Sequence, residues 1–144
     1  MIELAFVASI FGAPLLVGTG TTALMVYDSI EVTNAAHAGA SYGMISSTFA
    51  SDTSGITAAA KEEAAEIGSN LTVTPTAYYA CSAAPDGTQY TTQSAANTAC
   101  TGVSNHSLQF VKVVTSASIP TPFNLPGVPS TFVLSGRSIM EVEE

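Results

Sequence analysis

Charge is scarce in this 144-residue chain. Only 10% of its residues are charged, and three basic residues face eleven acidic ones for a net charge of −8. Roughly a quarter is ordinary for a soluble domain, so the deficit argues against a plain cytosolic enzyme. The shortage of Lys and Arg argues against nucleic acid as a partner, because phosphate binding needs basic side chains. Disorder is excluded from the other direction. With 47% apolar residues the chain has the opposite of the high-charge, low-hydropathy composition that keeps a segment unfolded.

Catalytic patterns are missing as well. Serines are numerous, but none sits in a G-x-S-x-G turn, and no glycine loop with a lysine is present to cradle a phosphate. His37 lies among alanines and His106 in a loop, neither with an acid and a nucleophile at a triad's spacing. No catalytic residue, cofactor or metal site is expected. Glu62, Glu63 and Glu66 read as the solvated face of a helix.

What the chain does contain is one long uncharged run. No charged residue falls between Glu3 and Asp28. About 20 apolar residues cross a bilayer as a helix, so this run is long enough to span one. Thr19, Thr21 and Thr22 dilute it, yet hydroxyls of this kind bond back to helix carbonyls and are tolerated. The flanks lack the basic residues of an ordinary anchor or signal peptide, since the first is Lys61. A basic leader removed ahead of Met1 is the expected explanation. Pro14, which has no N–H to donate, lies with Gly12, Gly18 and Gly20 in a stretch expected to be weak helix, a place for a kink or local unwinding.

Beyond Asp28 apolar residues recur near helical spacing at Ile30, Ala35, Ala38, Tyr42, Ile45 and Phe49. Helix is therefore predicted to continue to about Ala50, before a turn-like SDTSG at residues 51–55. At ~1.5 Å per residue this is about 70 Å of helix, more than so small a domain can cover. The small residues Ala35, Ala36, Gly39, Ala40 and Gly43 form a face that admits another backbone closely, and are expected to pack against copies or partners.

The remainder reads as an α+β head over residues 51–144, attached to a helical region over residues 1–50. Residues 56–67 predict a helix stopped by Gly68. Residues 70–80 predict a strand that Pro75 either confines to an edge or breaks, residues 107–116 alternate clearly, and a last strand covers about Thr131–Val142, with Gly136 the place for a bend. The proline-rich residues 119–129 predict a loop. Three to four antiparallel strands with a short helix suffice for a small independent head. Cys81 and Cys100 are the only cysteines and predict one disulfide closing a Ser/Thr-rich loop. A metal site using both with His106 matches no zinc spacing. Asn70 (NLT) and Asn105 (NHS) fit the N-glycosylation triplet.

These residues carry a resemblance. MIELAFV at residues 1–7, followed by an apolar run interrupted by Pro14, resembles the start of TadE-like pilins, in which an acid and an apolar run follow the prepilin peptidase cut. NAAHAGASY at residues 34–42 is similar to that family's N-A-A-x-x-G-A-x-Y helix pattern, and the tail LSGRSIMEVEE looks like its closing strand. The likeness covers residues 1–45 well and the rest in architecture only. It implies a pilin-like long helix and a structural subunit of an extracellular type IV pilus-like filament on a bacterial surface. Its implied partners are copies of itself, the prepilin peptidase, the pilus assembly machinery and, before assembly, the inner membrane. Glu3 would face the amino terminus of a neighbouring subunit. The Gly/Thr-rich residues 12–22 depart from the family's usual leucines, which favours a helix adapted to filament packing. The alternatives are a single-pass membrane protein with an exported binding head, or a minor pilin that primes assembly.

Overall fold

A computed structural model describes residues 6, 8–102, 105–121 and 129–143. Among them a π turn, Ala8–Gly12, leads into a 31-residue helix α1 (Ala13–Gly43), followed by α2 (Ser47–Ser51), α3 (Thr53–Glu63), β1 (Leu71–Cys81), α4 (Gln93–Ala99), β2 (Ser107–Pro120) and β3 (Thr131–Glu141). The class is α+β, with a three-stranded antiparallel sheet of order β1-β2-β3.

The helix differs from the sequence reading at both ends. Gly18 and Gly20 sit inside unbroken α-helix rather than in a weak stretch, and the irregular turn lies earlier, at Ala8–Gly12. Pro14 falls in the first turn of α1, where its missing N–H costs least. It has no donor for the carbonyl of Ile10, so a wider turn immediately before it is the expected local response. At the other end α1 stops at Gly43 instead of Ala50. Ser46 takes an extended conformation and caps α2 by accepting from the Phe49 N–H, and Asp52 caps α3 by accepting from the Gly55 N–H at 2.9 Å. The turn-like SDTSG is thus the cap and first turn of α3.

The sheet packs one face on α1 and α3. Val111 and Val113 of β2, with Val142, meet Ala40, Ala50 and Ile56, while Ala117 and Leu71 meet Val32, Ala35, Ala60 and Ala64. Pro75 lies on β1, an edge strand, as its missing donor requires. The strand β3 runs through Gly136 without a break. A Cβ there would stand 2.6 Å from the Val32 carbonyl and 2.8 Å from the Thr33 Cα, so this glycine lets the α1 backbone approach the sheet. Thr115, fully buried opposite, donates its hydroxyl to the same Val32 carbonyl at 2.7 Å.

The other face of the sheet carries a smaller core of Tyr78, Ala80 and Phe110, with Leu108 and Ile139 against it. The segment between Cys81 and Cys100 folds over it. Tyr78 donates its hydroxyl to the Pro85 carbonyl, Arg137 pairs with Asp86, and Lys112 reaches Gln89 over the Tyr78 ring. This segment, read from sequence as a loop, contains the helix α4, capped by Thr92, with Ala96 buried. Of the proline-rich 119–129 stretch, Ile119 and Pro120 complete β2 and residues 122–128 lie outside the described residues.

Candidate assembly surface

The first half of α1 stands clear of the head. Its large apolar side chains are open: Leu15, Leu16, Leu24, Val26, Tyr27 and Ile30, with Phe6 and Phe11 ahead of them. Leu16 is 76% exposed, whereas Val32, Ala35, Ala36 and Ala40 further along the same helix are wholly buried. Burying a Leu or Phe side chain is worth about 1.5–3 kcal/mol, so several of them on a bare helix demand lipid or another helix. Residues Ser9–Gly43 form one helix long and apolar enough to cross a membrane.

Its polar groups are prepared for that setting. Thr19 donates to the Leu15 carbonyl at 2.9 Å, Thr21 to Val17 and Thr22 to Gly18, each at 2.8 Å. No hydroxyl among these three is left needing water, which removes the cost of burying them. Two shallow apolar grooves run along different sides of this half. One is lined by Leu15, Gly18, Thr22 and Val26, the other by Leu16, Gly20, Leu24 and Tyr27.

The small-residue stripe has another role from the one expected. Gly39 lies against α3, where a Cβ would stand 3.2 Å from the Ile56 carbonyl, and Gly43 lies against Val111 and Ile56. Ala35, Ala36 and Ala40 are fully buried in the chain's own head. The stripe is therefore covered by the chain's own head. Tyr42, which closes the NAAHAGASY motif, donates its hydroxyl to Asp52 Oδ2 at 3.0 Å and so ties α1 to the start of α3. The Asp52 carboxyl is held below the usual carboxylate range, first by the Ser54 hydroxyl, then by the Gly55 N–H and the Tyr42 hydroxyl. The motif thus reads as the joint between helix and head.

Comparison with known proteins finds no family model, curated protein or solved structure that matches the chain.

The remaining candidate residues fall as follows. Glu3 lies outside the described residues. Cys81 and Cys100 are joined in a disulfide with a Cα–Cα distance of 5.3 Å. Asn70 is exposed at the end of a Gly68–Asn70 turn, and Asn105 is half-buried. His37 is exposed, with Nδ1 3.3 Å from the Ser41 hydroxyl. Where α1 enters the head, the Glu31 carboxyl is hydrogen-bonded to Tyr27 and has a buried Oε2 with no partner among the described residues, with Asp28, Glu63 and Glu66 near it. Among the described residues no three His, Cys, Asp or Glu converge to hold a metal. Sequence reasoning passed over Asp52 and Thr92 as helix caps, although Asp and Thr ahead of alanine-rich runs were the available signal.

Proposed function

We propose that the chain is a structural subunit of an extracellular, Tad-type type IV pilus-like filament, held in the inner membrane by its N-terminal helix before assembly. The observation that carries this reading is the apolar, threonine-satisfied half of α1 projecting beyond a head that buries none of it. Such a surface suits lipid first and neighbouring helices afterwards, because both cover it without unsatisfied polar groups. Repeated non-closing contacts of this kind generate an open helical polymer. The −8 charge repeated along a fibre repels nucleic acid, which favours surface adhesion as the filament's task.

One observation favours a second reading, a single-pass membrane protein with an exported binding head. The Ala35–Gly43 stripe, which an anchor would not need, is consumed by the subunit's own head. Glu3 separates the two. In the filament reading Glu3→Ala leaves membrane insertion intact and abolishes fibres, as seen by electron microscopy of sheared cells with mass spectrometry of the same fraction. Normal fibres from that variant, or a parent chain that stays in the membrane fraction and enters no fibre, favour the anchored head.

A further inference from the structure

We propose that Asn70 is the acceptor of an N-linked glycan, and that the second triplet, at Asn105, is closed to this modification in the folded head. The proposal does not depend on the filament reading. Both triplets have the required sequence, Asn70-Leu71-Thr72 and Asn105-His106-Ser107. The fold treats them differently.

At the first triplet the two groups a transferase reads are exposed, while the residue between them anchors the chain. Asn70 and Thr72 are exposed on either side of Leu71, which is buried in the core under α1 and α3. Among the described residues neither the Asn70 amide nor the Thr72 hydroxyl is used in a side-chain hydrogen bond. The turn is opened by Gly68 in the left-handed region, at φ 60°, with no atom near the position its Cβ would take. Thr72 is the second residue of the edge strand β1, at the end of the sheet remote from the disulfide segment. A bulky sugar at Asn70 therefore displaces none of the described residues.

At the second triplet the Asn105 side chain is half-buried, with no hydrogen-bond partner for its Oδ1 among the described residues, and its neighbours are tied down. The Asn105 Oδ1 is buried, the Ser107 hydroxyl donates to Asn97 Oδ1, and His106 between them is held to Ser82 through both its backbone groups. These contacts close the neck of the disulfide segment, so a glycan here would pry it open.

The donor class is a sugar activated as a diphosphate ester. The Asn70 amide nitrogen attacks the anomeric carbon, forming a C–N bond as the C–O bond to the diphosphate breaks. The diphosphate leaves with the electron pair, and the proton lost from the amide goes to a base of the transferase. The test is intact-mass spectrometry of the chain purified from the cells that make it. The expected result is a mass excess of whole sugar residues, lost in Asn70→Gln and in Thr72→Val, and kept in Thr72→Ser and in Asn105→Gln. Trypsin leaves both triplets on one peptide, Glu62–Lys112, whereas cleavage after Glu66 and Asp86 separates them. An intact mass equal to the bare polypeptide, an excess on the Asn105 peptide, or an excess that survives Asn70→Gln overturns the proposal. The Thr72 pair guards against misfolding, since both variants keep Asn70 and only one keeps the hydroxyl.

Discussion

The two halves of α1 are one continuous helix with opposite fates. Its first half exposes leucines and a tyrosine and satisfies its threonines internally; its second half turns Ala and Gly toward the head and is buried to the last atom at Val32, Ala35, Ala36 and Ala40. Size explains the division. Small side chains allow α3 and the sheet to come within van der Waals reach of the α1 backbone, where dispersion contacts are dense. Large ones hold neighbours off and leave their apolar area uncovered by the chain itself.

The contrast can be broken most forcefully at Gly136. Gly136→Ala would drive a methyl into the Val32 carbonyl and the Thr33 Cα, backbone atoms that cannot rotate away. We expect a loss of about 3 kcal/mol in urea unfolding, the upper part of the usual overpacking range. An unchanged midpoint would mean that the second half of α1 is not seated on the sheet.

A smaller effect is expected at the joint. The carboxyl of Asp52 is held below the ordinary carboxylate range in the folded chain, so the unfolded chain takes up its proton at higher pH. Its contribution is complete above the ordinary carboxylate range and is lost as pH falls through the depressed value. Acid unfolding monitored by circular dichroism should therefore be less steep in Asp52→Asn than in the parent. Superimposable acid limbs would show that the ionised Asp52 carboxyl, held by Ser54, Gly55 and Tyr42, adds nothing to the stability of the joint.

The smallest effect belongs to the free half. Leu16→Ala in detergent should leave unfolding of the head within about 0.5 kcal/mol of the parent, as for surface sites generally. A larger loss would place Leu16 against the head and end the contrast. Measured as fibre yield, the same variant should matter if this half is the surface that copies share.

Much of this was legible in the residues. The uncharged run between Glu3 and Asp28, the edge position of a strand bearing Pro75, the alternation of Ser107–Ser116 and the pairing of the only two cysteines follow from local chemistry, which periodicity and composition report directly. The helix caps at Asp52 and Thr92 were legible and passed over, because Ser, Thr and Asp serve turns and caps alike.

Other features had no local signal. A stripe of Ala and Gly states that something approaches closely, and cannot state what, since its own head and a second copy present the same apolar surface. Only the tertiary structure placed Ile56 and Val111 against Gly39 and Gly43, the Val32 carbonyl over Gly136, and the α4 segment over Tyr78 and Phe110. The sequence by itself determined which residues must leave water. The tertiary structure decided which of them the chain covers for itself, because burial is non-directional and its partners are chosen by long-range packing.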